Sequence, residues 1–243
     1  ALNSYDQLKV HHEFLIDDVL KWGTLKYHNI VTSKQVLEYL ENYKDALEQT
    51  LDNEAYIVDI SNGLPLVLDE LKIVFPDATF IWISRNAYKV TSSFYYKFEE
   101  LMYPTWGMEK LKQGIKEGNA LQFTSDKRVF RPLYSYRDND RLLNILYHWK
   151  VYEDIAISNR EYFYFIYCFE DLVNNVDSNL ANFFEKLGLK LTDKAKHFFR
   201  NPTNIQTRKN HEFSSSEELL YMDICGHINL KLGYKNQGYE VKY

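Results

Sequence analysis

Three short, mainly apolar runs and one mixed run break up the chain, and between them apolar residues recur at helical spacing. Thr79-Phe-Ile-Trp-Ile83 is β-branched and aromatic with no charge, the pattern of a strand buried on both faces of a parallel sheet. Tyr56–Ile60 and Tyr162–Cys168 read the same way, and Leu8–Phe14 reads as a short strand ending in His11, His12 and Glu13. The intervals predict helices. Asp17 to Lys26 is helical or irregular, and Thr32-Ser-Lys-Gln35 is a capping-box pattern that starts an amphipathic helix through Val36, Leu40, Tyr43 and Leu47. Further helices are expected over Leu64–Val74, Ala87–Phe98 and Leu142–Ser158, through Leu180–Leu187 to a stop at Gly188, and from a second capping box at Ser214–Glu217 through Leu230. Strand, turn, helix, strand is the βαβ unit of parallel sheets. Residues 102–138, interrupted by Pro104, Gly107, Gly114, Gly118 and Pro132, have weak periodicity and read as an insertion beside a strand end.

Composition adjusts this picture in a few places. A chain of 243 residues with 45% hydrophobic content can bury one sizeable core, so one domain over residues 1–243 is expected. The formal charge of −5 argues against a nucleic-acid partner, so any anion site must be a local cluster. Arg128, Arg131, Arg137 and Arg141 make the insertion locally basic. Two cysteines, Cys168 and Cys225, imply no disulfide framework, and a reducing, cytoplasmic setting is the simpler expectation. The Asn201-Pro202-Thr203 triplet is closed to glycosylation by its proline, and no apolar run approaches membrane-spanning length.

Chemistry concentrates after the third strand, where Ser84-Arg85-Asn86 leads directly into a helix. In open α/β sheets the carboxyl ends of the strands are where ligands bind. Ser93 lies eight residues beyond Arg85, so a strand-end guanidinium and a helical hydroxyl are placed to hold one phosphate group. Phe75-Pro-Asp-Ala78, Arg85-Asn86 and Ser93 together resemble the 3′-phosphate segment of sulfotransferases that use 3′-phosphoadenosine 5′-phosphosulfate (PAPS). Two later segments extend the resemblance. Glu170-Asp171-Leu172 and Lys186-Leu187-Gly188-Leu189 resemble the family's strand-end and helix-end motifs, although Cys168 stands where Arg is usual. Arg208-Lys209-Asn210 resembles its Arg-Lys-Gly loop, with Asn for Gly, and Leu232-Gly233-Tyr234 resembles the end of its last helix. Ser61-Asn62-Gly63 departs from the family's lysine-bearing turn, so no phosphosulfate lysine is carried over.

The resemblance implies a three-layer α/β fold like that of P-loop nucleotide kinases, with a central parallel sheet flanked by helices. It implies sulfuryl transfer from PAPS to a hydroxyl or amine of a small-molecule or glycan acceptor, leaving 3′,5′-diphosphoadenosine (PAP), with no metal. Arg85, Ser93, Arg208, Lys209 and Asn210 would bind the cofactor, and Glu13, assisted by His12 or His11, would be the catalytic base. Strand alternation puts His11 on the face of Glu13 and His12 on the opposite one. The family also has a Gly-rich phosphosulfate loop, which none of the nine glycines forms, so a strand, that loop and most of a helix are expected upstream of Ala1. A P-loop nucleoside or nucleotide kinase, and a nucleotide-binding protein of the same scaffold without activity, are the alternatives.

Overall fold

The apolar runs become strands in the computed structural model, which describes residues 2–97, 117, 141–174, 176–200 and 211–234. Strand β1 (Leu8–His12) pairs in parallel with β2 (Tyr56–Ile60), from Leu8 opposite Tyr56 to His12 opposite Ile60. Strand β3 (Phe80–Ser84) pairs in parallel with β4 (Phe163–Cys168), with one irregularity between Phe80 and Ile81. Parallel neighbours need long crossover connections, and helices supply them. Helices α1 (Ile16–Tyr27) and α2 (Ser33–Glu48) lie between β1 and β2 in the chain, and α4 (Ala87–Lys97) and α5 (Arg141–Ser158) lie between β3 and β4.

The single sheet expected from the sequence is not what hydrogen bonding forms among the described residues. β2 bonds to β1 and β3 to β4, giving two separate two-stranded parallel sheets. The outer edges of β2 and β3 have no strand partner there. Nor is every strand buried on both faces, since Ile60 and Ile83 are each 47% exposed at the ends of β2 and β3.

Between β2 and β3 the expected helix is divided. A 3-10 turn (Leu64–Val67) carries Pro65, which has no N–H to give to a ladder, and α3 (Leu68–Val74) follows. Gly63 precedes this turn because α1 passes close to it. A Cβ there would lie 2.9 Å from the Val19 side chain. Thr32 and Gln35 close the predicted capping box at the start of α2, an arrangement that stabilises a helix by about 1 kcal/mol.

After β4 come α6 (Phe169–Asn174), α7 (Val176–Lys186) and α8 (Asp193–Arg200). The last of these was not foreseen, although Thr192 at its start accepts a hydrogen bond from the Ala195 N–H and so signals a cap. The C-terminal helix is in three pieces: α9 (Ser215–Tyr221), a π-helical turn (Met222–Gly226) and α10 (His227–Lys231).

Three apolar clusters hold these elements. Val19, Leu40, Tyr43 and Leu71 join α1, α2 and α3, with Ile57 and Phe80 against them. Leu146, Trp149, Tyr221 and Ile228 join α5 to the C-terminal helices, with Ala87 of α4. Phe165, Leu172, Phe184 and Ala195 join β4 to α6, α7 and α8. Among the described residues no helix is long and apolar enough to cross a membrane.

Candidate functional site

Arg85 stands between β3 and α4 with its side chain exposed and its backbone bound on several sides. Trp149 of α5 donates its indole N–H to the Arg85 carbonyl at 2.8 Å. The next residue, Asn86, is fully buried, and its N–H donates to the Glu170 carboxylate at 3.1 Å. The Asn86 side chain in turn accepts from the Lys89 N–H at 3.2 Å, which caps α4. Two backbone donors at this helix start are thus already engaged, so recognition of an anion falls chiefly to side chains. The Arg85 guanidinium lies over the Phe169 ring at 5.1 Å, a cation–π contact that limits where it can swing.

Ser93 is half-buried on α4, seven residues after Asn86 and therefore on the same face of the helix. Its neighbour Ser92 has a different task. The Ser92 hydroxyl donates to the His211 carbonyl at 2.7 Å, and the His211 N–H donates to the Ser92 carbonyl at 3.2 Å. His211 also stacks on Tyr95, with ring centroids 3.7 Å apart and planes inclined by 11°, and pairs with Glu217 at 2.9 Å. Arg141 covers the Tyr95 ring at 4.8 Å. Arg208, Lys209 and Asn210, the three residues immediately before His211, lie outside the described residues, as do Arg128, Arg131 and Arg137 of the basic insertion.

Glu13 occupies a second strand end. Its N–H donates to the Ile60 carbonyl at 2.9 Å, and the Asn62 side chain donates to its Oε1 at 3.0 Å. His12 Nδ1 lies 3.9 Å from Glu13 Oε2. His11 does not join them. Its Nε2 bonds Thr50 at 2.8 Å, and its ring packs on Phe14. The alternation argument, which put His11 beside Glu13, is therefore corrected. β1 ends at His12, and Glu13 has a φ of 59°, so the period of two stops one residue short of it. Leu15 also has a positive φ, 47°, which makes this short turn strained for side chains with a Cβ. The turn is fastened by Asp59 of β2, which accepts from the Phe14 N–H at 3.2 Å and from the Tyr43 hydroxyl. Burial, with the Asp59 carboxylate added, pushes the Tyr43 phenol well up.

Behind Arg85 lies a residue that sequence reasoning missed. Glu153 is buried on α5, and the Trp82 indole N–H donates to it at 3.0 Å. The fully buried Ser84 hydroxyl faces the same carboxylate without closing a hydrogen bond of normal geometry. Burial pushes Glu153 up to about 7, with the nearby Glu170 charge adding to the effect and Ser84 and Trp82 opposing it. A signal was present in the chain. Leu142, Leu146, Trp149, Glu153 and Ala156 form one stripe of α5, and an acid on an apolar stripe marks a buried polar site.

The contacts form two groups, Arg85 with Asn86, Glu170 and Trp149, and Glu13 with His12 and Asn62. Among the described residues no cluster of His, Cys, Asp and Glu has the arrangement of a metal site. Neither a known protein family, nor a curated protein, nor a solved structure matches the chain.

Proposed function

We propose that this protein binds PAPS and transfers its sulfuryl group to a hydroxyl or amine of a small-molecule or glycan acceptor. The observation that carries the reading is the double hydrogen bond between Ser92 and His211, residues 119 apart in the chain. It fastens the residue that follows Arg208-Lys209-Asn210 in the chain to α4, the helix that follows Arg85. Arg208 precedes His211 by three residues, a reach of at most ~11 Å. In this reading Arg208 is within chain reach of the phosphate that Arg85 and Ser93 would hold. The finer fold we propose is the P-loop kinase-like one, a three-layer arrangement with a central parallel sheet flanked by helices.

In this scheme Arg85, Ser93, Arg208 and Lys209 bind the 3′-phosphate, and the backbone at Asn210 closes over it. Glu13 takes the proton from the acceptor as the acceptor's oxygen or nitrogen bonds to sulfur. The sulfur–oxygen bond to the 5′-phosphate breaks in line, and PAP leaves with the electron pair. Asn62 occupies one Glu13 oxygen, which leaves the other for the proton. His12 Nδ1 lies 3.9 Å from that second oxygen.

The test is a thermal-shift comparison of PAP, ADP and ATP with Mg²⁺ on the full natural polypeptide. The largest stabilisation is expected with PAP. Preference for ATP would replace this reading with a kinase, and binding of PAP without sulfuryl transfer to any acceptor would leave a binding protein.

A further inference from the structure

The side of the Arg85 turn that faces the interior is held by groups that no ligand reaches, and one of them comes from the far end of the C-terminal helix. We propose that Glu170 and Tyr234 are positioning residues for the anion site at Arg85–Asn86, acting through a buried relay that joins the close of α10 to the start of α4. The proposal rests on the functional reading above, because it takes Arg85 as the anion-binding group.

Each oxygen of the Glu170 carboxylate has its own partner. Oε1 accepts from the Asn86 N–H at 3.1 Å and Oε2 from the Tyr234 hydroxyl at 2.5 Å. Glu170, Asn86 and Tyr234 are all buried, so water cannot replace either bond. Tyr234 reaches this place through a turn that only glycine takes without strain. Gly233 has a φ of +94°, its N–H donates to the Leu230 carbonyl at 3.0 Å, and the Tyr234 N–H donates to the Asn229 carbonyl at 3.0 Å. The Cys168 thiol, at the end of β4, donates to the Leu232 carbonyl at 3.3 Å and fixes the turn against the strand. Segment 211–234 therefore grips α4 twice, directly at Ser92 through His211 and indirectly at Asn86 through Tyr234 and Glu170. Loss of the Tyr234 hydroxyl leaves a buried carboxylate short of one donor. The Asn86 N–H on the other carboxylate oxygen, and the Arg85 turn with it, then lose part of what fixes their position.

Three variants decide the matter, with Arg85→Ala as reference: Tyr234→Phe, Glu170→Gln and Glu170→Ala. Amide hydrogen exchange at Asn86 reads the relay without ligand, and affinities for PAP and for adenosine 5′-phosphosulfate, which lacks the 3′-phosphate, read its purpose. Tyr234→Phe keeps the ring and should still fold. It should speed Asn86 exchange and weaken PAP binding by about tenfold, the worth of one buried hydrogen bond, with little change for adenosine 5′-phosphosulfate. Glu170→Ala should lose at least as much, while Glu170→Gln, which keeps an acceptor for Asn86 and a partner for Tyr234, should recover most of it. Unchanged Asn86 exchange in Tyr234→Phe, or equal losses for both ligands, would overturn the relay. If Arg85→Ala weakens PAP binding and Tyr234→Phe does not, the inference alone fails. If Arg85→Ala leaves PAP binding intact, the functional reading fails and takes the inference with it.

Discussion

The two strand ends that carry candidate chemistry are built in opposite ways. At the β3 end the backbone of Arg85 and Asn86 is bound by Trp149 and Glu170, buried donors and acceptors from two other elements, while Arg85 itself is exposed. At the β1 end Glu13 adopts a positive φ and keeps a side chain that is 34% exposed, with one firm partner in Asn62. A rigid, buried frame suits the holding of a fixed anion, because displacement of a binding group by about 1 Å is costly. A strained, accessible carboxylate suits a group that must meet an acceptor and take up a proton.

The contrast is broken most severely at Glu13. Glu13→Gln keeps size and hydrogen bonding but removes basicity, and should lower turnover by roughly 10²–10⁴-fold with PAP affinity nearly unchanged. Turnover within a few-fold of the parent would remove Glu13 from the chemistry, and the same assay on His12→Asn and His11→Asn would show whether an imidazole serves instead.

The buried end is probed through Glu153, which burial raises to about 7 from the usual 4.5. The folded protein then holds a proton that the unfolded chain releases at lower pH. Stability from this group is complete below pH 4.5 and is lost as pH rises through 7. Glu153→Gln cannot ionise, so it should match the parent near pH 4 and exceed it above pH 7, by up to about 3 kcal/mol in denaturant unfolding. A constant difference across that range would show that the Glu153 carboxyl does not change its charge there.

Arg85→Ala removes a charged contact from the framed end and should weaken PAP binding by about 10- to 150-fold, equivalent to roughly 1.5–3 kcal/mol. Titration calorimetry with PAP and adenosine 5′-phosphosulfate checks it, since equal losses for both ligands would detach Arg85 from the 3′-phosphate.

The smallest effect belongs to the strained turn. Leu15→Gly relieves a left-handed backbone at an exposed position and should stabilise the fold by about 1 kcal/mol, or roughly 2–4 °C in Tm. A lower Tm would show that the turn is not a store of strain.

Among the described residues, local patterns along the chain were enough to locate the four strands and most helices. Periodicity and caps are short-range properties, as at Thr32–Gln35 and Ser214–Glu217, where both capping boxes close as predicted. Arg85 at the end of β3 was legible for the same reason, because a strand that stops and a helix that starts fix its place between them.

Tertiary structure decided what depends on distant partners or on a single dihedral. Which strands pair was beyond an apolar run to specify, because such a run states burial but not neighbours, and the strands join in two pairs. The division of labour between Ser92 and Ser93 depended on His211, 119 residues from Ser92. The grouping of Glu13 with His12 rather than His11 turned on one positive φ that no alternation rule anticipates for a residue with a Cβ. Glu170 was readable as part of a strand-end motif but not as the acceptor for Asn86, 84 residues away, since a buried carboxylate takes whichever donors the fold delivers to it.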